Sequence, residues 1–107
     1  MNKNYLQQFL NQYQQNSLKN YEFIEGEEIK KLKPRVYVKY MDKRTMSFCE
    51  GGILMENLYP IIKLKNYFTK RDYCINTDYN YIFWKRNVKS MSKREYLIGL
   101  LDSLEKK

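Results

Sequence analysis

The stretch Arg35-Val36-Tyr37-Val38-Lys39-Tyr40 decides the fold. Apolar and polar side chains alternate along it, which is the period of a strand with one face against a core. Pro34 suits the start of such a strand, where its missing N–H costs no ladder hydrogen bond. Working outward, Asp42-Lys43-Arg44 reads as a turn and Thr45-Met46-Ser47-Phe48-Cys49-Glu50 as a second strand. Gly51-Gly52 predicts a bulge or sharp bend, because glycine reaches backbone angles closed to other residues. Ile53-Leu54-Met55 continues that strand, and Asn57-Leu58-Tyr59-Pro60 breaks it. Residues 61–65, 73–76 and 81–85 read as three further strands, separated by a basic aromatic loop over 67–72 and a turn over 77–80.

About five short strands joined by tight turns over residues 34–86 predict a small antiparallel barrel. In a chain of 107 residues an SH3-like barrel is the economical closure, with an OB-like barrel second. The Gly51-Gly52 pair supports a barrel, since a small closed sheet needs a corner.

Helical patterns flank this region. Tyr5, Leu6, Phe9, Leu10 and Tyr13 form one apolar stripe, predicting a helix over 1–20 whose opposite face is Gln and Asn. Such a stripe either docks on the chain's own core or meets a partner. Residues 21–33 read as a connection, an acidic cluster followed by lysines, with Ile29 and Leu32 closing the bottom of the core. Ser92-Lys93-Arg94-Glu95 is a capping box that starts a second helix over 92–106, striped by Tyr96, Leu97, Leu100, Leu101 and Leu104. The expected class is therefore α+β: one domain over 1–107, a five-stranded SH3-like barrel with an N-terminal and a C-terminal helix.

Lys and Arg total 20 against 12 Asp and Glu, for a formal charge of +8, and histidine is absent. No His-based triad, His general base or His metal ligand can exist. Two cysteines alone do not close a zinc site, and no glycine-rich phosphate loop occurs. Cys49 and Cys74 lack a histidine base and read as structural thiols. The acids Glu50, Glu56, Asp72 and Asp78 form no recognisable pair. The expectation is a non-enzyme without metal, cofactor or small-molecule substrate. No run of eighteen apolar residues predicts a membrane helix, and the N-terminus lacks the apolar run of a signal peptide. Reduced thiols and an intracellular setting follow as expectations. The abundance of Lys, Asn, Tyr and Ile and the lack of alanine match AT-rich coding, so part of the positive charge records codon bias.

The order Val36-Tyr37-Val38-Lys39-Tyr40, Gly51-Gly52-Ile53-Leu54, Pro60-Ile61-Ile62-Lys63-Leu64-Lys65, Ile82-Phe83-Trp84-Lys85 resembles a group of small proteins of AT-rich giant DNA viruses. The resemblance covers residues 34–86 and rests on short structural motifs. Arg35 stands where the pattern would place a glycine after the proline. The resemblance implies a viral factory, host cytoplasm or virion setting and supplies no catalytic residue.

The charge is unevenly spread. Residues 27–44 hold seven basic and three acidic side chains, 63–71 four and none, and 85–95 five and one. The cations thus gather in turns and strand ends, where phosphate recognition needs them. Tyr67, Phe68, Tyr73, Tyr79, Tyr81, Phe83 and Trp84 are interleaved with Lys70, Arg71, Lys85 and Arg86. Aromatic platforms beside cations suit single-stranded nucleic acid, while alternation requires about half of the strand aromatics to be core. An aromatic cage completed by Asp78 is a third reading. Two functions follow. One is a viral structural or interaction module that self-associates or meets a protein partner through Leu6, Phe9, Leu10, Tyr13, Leu97 and Leu101. The other is sequence-independent nucleic-acid binding through Lys70, Arg71, Lys85 and Arg86.

Overall fold

The computed structural model describes residues 2–86. Its elements in chain order are α1 (Lys3–Gln7), α2 (Gln12–Ser17), β1 (Glu22–Ile24), α3 (Glu27–Lys30), β2 (Tyr37–Asp42), β3 (Phe48–Leu58), β4 (Ile61–Asn66), β5 (Asp72–Asn76), a 3-10 turn (Thr77–Tyr79) and β6 (Asn80–Lys85). The strands form one antiparallel sheet in the order β1-β6-β2-β3-β4-β5. The domain is α+β, as the periodicity predicts. Two details differ: the described residues form six strands rather than five, and their sheet is open, with β1 and β5 as its edges. The predicted helix over 92–106 lies outside the described residues.

The double glycine bends β3. Val38 pairs with Gly52 and Tyr40 with Cys49, so Glu50 and Gly51 together oppose the single residue Lys39. That is a β-bulge, and Gly51 takes φ 68, a left-handed angle that glycine adopts at no steric cost. A Cβ on Gly51 would lie 1.9 Å from the Val38 carbonyl oxygen, and one on Gly52 would lie 2.0 Å from that of Lys65. A second irregularity follows at Met55, between the pairs Leu54–Leu64 and Glu56–Lys63. The long strand therefore serves β2 with its first half and β4 with its second.

Alternation along the strands separates two apolar clusters on opposite faces. The inner face carries Ile24, Val38, Leu54, Ile62, Leu64 and Ile82, closed below by Ile29 and Leu32. Each fully buried aliphatic side chain contributes roughly 1.5–3 kcal/mol. Ile29 and Leu32 take the place the sequence predicts, but the segment 21–33 is more than a connection. Glu22–Ile24 adds a strand to β6, and Asn57 Nδ2 ties α3 down by donating to the carbonyls of Ile29 (2.8 Å) and Leu32 (3.0 Å). Strands as short as three residues carry too little pattern to be read from sequence.

The outer cluster joins Met41 and Phe83 to Leu6, Leu10 and Leu18. The single helix expected over 1–20 is two. Asn11 is an N-cap, with its side chain accepting from the Gln14 N–H while Gln14 Oε1 accepts from the Asn11 N–H. That capping box restarts the helix and turns the chain. Gln15 Nε2 then donates to the Leu10 carbonyl, which the break leaves without a helical partner, and to the Gln7 carbonyl, which also accepts from the Leu10 N–H. The Gln-rich face thus holds the two short helices together over the sheet. The Pro34-to-β2 corner also differs: Arg35 has φ 81 where glycine would be unstrained, and its N–H donates to the Leu54 carbonyl at 2.7 Å.

Candidate functional site

Register places one row of side chains across the upper outer face. Lys85 pairs with Tyr37, Tyr37 with Ile53, Ile53 with Lys65, and Lys65 with Asp72. The lower half of this face, holding Met41, Phe83, Tyr81 and Phe48, lies under α1 and α2. The upper half has no helix over it among the described residues.

The loop between β4 and β5 folds onto one end of this row. Asn66 Oδ1 accepts from the N–H groups of Phe68 and Thr69, and Lys70 takes φ 62, so the loop is a tight, hydrogen-bonded turn. It sets the Tyr67 ring edge-on to Tyr37, with centroids 6.3 Å apart, and holds Phe68 84% exposed at the tip. The Lys70 ammonium lies 5.2 Å from the Tyr67 centroid. At the other end, the Lys85 ammonium lies 5.8 Å from Tyr37 and 5.3 Å from Tyr21. Lys70, Tyr67, Tyr37 and Lys85 therefore form a continuous strip, two adjoining rings with a cation at each end. Each cation–ring contact contributes about 0.5–1 kcal/mol at an exposed site. The contacts also fix where the charges stand.

Beyond the strip, a groove of about 750 Å³ runs past the end of β6, lined by Asn20, Glu22, Tyr37, Tyr67, Trp84, Lys85 and Arg86. That volume lies within the range of small-molecule clefts, about 300–1,000 Å³. Burial pushes the Tyr21 phenol up to about 12, with help from the neighbouring Tyr37 and Glu50. Burial, then Tyr67, raises that of Tyr37. Both rings are neutral across the physiological range, so their faces stay available for stacking.

Ion pairs divide the cations into two kinds. Lys65 meets Asp72 at 2.8 Å, Lys63 meets Glu56 at 3.8 Å, and Lys39, largely buried, meets Glu50. Among the described residues no carboxylate comes within 4 Å of Lys70, Arg71, Lys85 or Arg86. The structure brings Lys70, Lys85 and Arg86 around one aromatic strip and groove. Arg71 follows Lys70 in the exposed turn and makes no described contact with the strip. Tyr37 and Tyr21 are the residues that sequence reasoning passed over. Tyr37 was legible as an outward strand position, but its meeting with the loop was not.

The interface candidates separate. Leu6 and Leu10 are buried in the outer cluster, whereas Phe9 and Tyr13 are 48% and 73% exposed. Leu97 and Leu101 lie outside the described residues. Asp78 lines a smaller cleft of about 160 Å³ with Phe23, Tyr59 and Tyr81. There the Lys43 ammonium lies 5.4 Å from the Tyr81 centroid, so a cation of the chain itself already faces that ring. Among the described residues, no group of three His, Cys, Asp or Glu could hold a metal, and no helix is long and apolar enough to cross a membrane.

No family model matches the chain. No curated protein matches it, and no solved structure does. Nothing in these comparisons ties it to giant DNA viruses.

Proposed function

We propose that the chain binds single-stranded nucleic acid along the open upper half of its outer face. The observation that carries this reading is the strip Lys70–Tyr67–Tyr37–Lys85, in which two adjoining rings are flanked by cations free of described carboxylates. Bases stack on aromatic faces regardless of their identity, and phosphates take the flanking cations. Phe68, projecting beside Lys70, offers a further platform at the end of the strip. Stacking favours single strands, because the base faces of a duplex are already used.

We also read the sheet as an SH3-like barrel with an added edge strand. Without β1 the order is β6-β2-β3-β4-β5, and a 3-10 turn separates the last two strands. The bent β3, shared between the two halves of the sheet, suits such a closure.

The test is fluorescence anisotropy with a labelled oligouridylate at low and moderate salt. Binding is expected at low salt and falls as salt rises. Replacing Lys70, Arg71, Lys85 and Arg86 together by Gln should weaken it and flatten the salt slope by about 2–3, at roughly 0.7 per lost phosphate contact. Absence of binding at low salt rejects the reading. The second reading, assembly through the N-terminal helices, is supported by the exposed Phe9 and Tyr13, although Leu6 and Leu10 are already used within the chain. Light scattering of the Phe9→Ser, Tyr13→Ser variant tests it, with a smaller particle than the parent expected.

A further inference from the structure

Resting on the single-strand reading, we propose that the groove past the end of β6 selects guanine, with Glu22 as the residue that reads it. Glu22 and Trp84 are register partners on β1 and β6, so their side chains rise from the same face as neighbours. They rise from the inner face, with Ile82, and the groove runs past the end of β6 from them to Tyr37 and Tyr67 of the outer face. A base stacked against Trp84 turns one edge toward Glu22. Cations at the same groove, Lys85 and Arg86, suit the phosphates on either side of that base.

Among the described residues Glu22 is the only acid lining the groove, and its carboxylate accepts no hydrogen bond from them. Lys3, which feels the charge of Glu22, donates instead to the carbonyls of Lys19 and Tyr21. An ionised carboxylate offers two oxygens that only accept. Guanine alone among the bases presents two adjacent donors on one edge, N1–H and the N2 amine, matching both oxygens at once. Adenine and cytosine each set an acceptor beside their amine, which would face a carboxylate oxygen. Uracil and thymine offer one donor between two acceptors. Asn20, on the same groove, can donate from its amide to guanine O6. The carboxylate repels phosphate, so it weakens non-specific binding while rewarding one base.

The experiment uses heptauridylates whose central residue is G, inosine, A, C or U, measured by anisotropy at low salt against the full chain. A heptathymidylate with a central dG separates RNA from DNA. The G heptamer is expected to bind roughly tenfold more tightly than the A, C and U heptamers. Inosine, lacking the N2 amine, should fall between. Glu22→Gln should abolish the preference, bringing the G and all-U heptamers to the same affinity. Equal affinity for all five heptamers overturns the guanine assignment and leaves the single-strand reading standing. A preference that survives in Glu22→Gln overturns the role of Glu22. Failure of every heptamer to bind overturns the single-strand reading and this proposal with it.

Discussion

The two halves of the outer face are built from the same three strands and differ in what stands on them. Below, Met41 of β2, Phe48 of β3 and Phe83 of β6 lie under Leu6, Leu10 and Leu18, and Met41 and Phe83 are fully buried. Above, Tyr37, Ile53 and Lys85 occupy the same three strands one or two pleats further on, and nothing described covers them. Burial of the lower half holds the N-terminal helices in place. The upper half is not short of apolar surface, since it carries several rings. Among the described residues cations flank those rings, and cations are not buried without partners. One face therefore divides its labour between holding the fold and meeting something charged.

The hinge between the halves gives the largest expected effect. β3 passes from one ladder to the other at Gly51-Gly52, with backbone carbonyls about where both Cβ atoms would sit. Gly51→Ala and Gly52→Ala should each cost more than the roughly 1–3 kcal/mol of a strained backbone position, because a ladder must part as well. Chemical denaturation measures this. A midpoint unchanged in either variant would mean that the strand crosses without the bend, and the two halves would be one surface.

The next test sets the halves directly against each other. Phe83→Ala empties a fully buried ring site in the lower half and should lower stability by about 3–5 kcal/mol. Tyr37→Ala with Tyr67→Ala removes the rings of the upper half. That pair should weaken oligonucleotide binding by about 1–3 kcal/mol per stacked base, with a smaller loss of stability. If the tyrosine variant loses stability as heavily as Phe83→Ala and leaves binding unchanged, the upper strip is structural and the comparison collapses.

How much of this division could be read from the chain follows from the range of each signal. Alternation along residues 36–40 and 81–85 is local, so it gives both strands and the two faces of each. Tyr81 and Phe83 fall on one face, Ile82 and Trp84 on the other, with Ile82 and Trp84 toward the inner core. Pattern cannot say that both faces are covered here, because the helices covering the second face belong to the N-terminal segment, remote from both strands in sequence. The same gap explains Leu6 and Leu10. Their stripe is plain, but whether it meets the chain's own sheet or a partner is a tertiary fact. The break at Asn11 was legible in Asn11-x-x-Gln14, a capping signal that a continuous apolar stripe outweighs. Lys70 and Lys85 were legible as cations beside aromatics. Their convergence on Tyr37 depends on a loop closed by Asn66 and on a register that no local pattern encodes.

The smallest expected effect sharpens the comparison at the edge of the sheet. Lys65 belongs to the upper row, yet Asp72 on β5 holds it in an ion pair. The hydrogen bond from Lys65, with the charges of Lys65 and Lys63 beside it, keeps the Asp72 carboxyl below the usual carboxylate range. A carboxylate depressed in the folded state stabilises the fold above its unfolded value, near pH 4. That contribution fades as pH falls through the depressed value. Both groups are largely in water, so the loss is slight. Asp72→Asn should flatten the acid limb of the stability profile below about pH 4 and leave neutral stability almost unchanged. The same substitution frees a cation on the open half. Nucleic-acid affinity should rise modestly and the salt slope should steepen by about 0.7, the increment of one added phosphate contact. Binding thus rises while neutral stability stays almost unchanged, a combination that a purely structural ion pair would not produce. An unchanged salt slope would place Lys65 outside the binding strip and end that strip at Tyr37 and Tyr67.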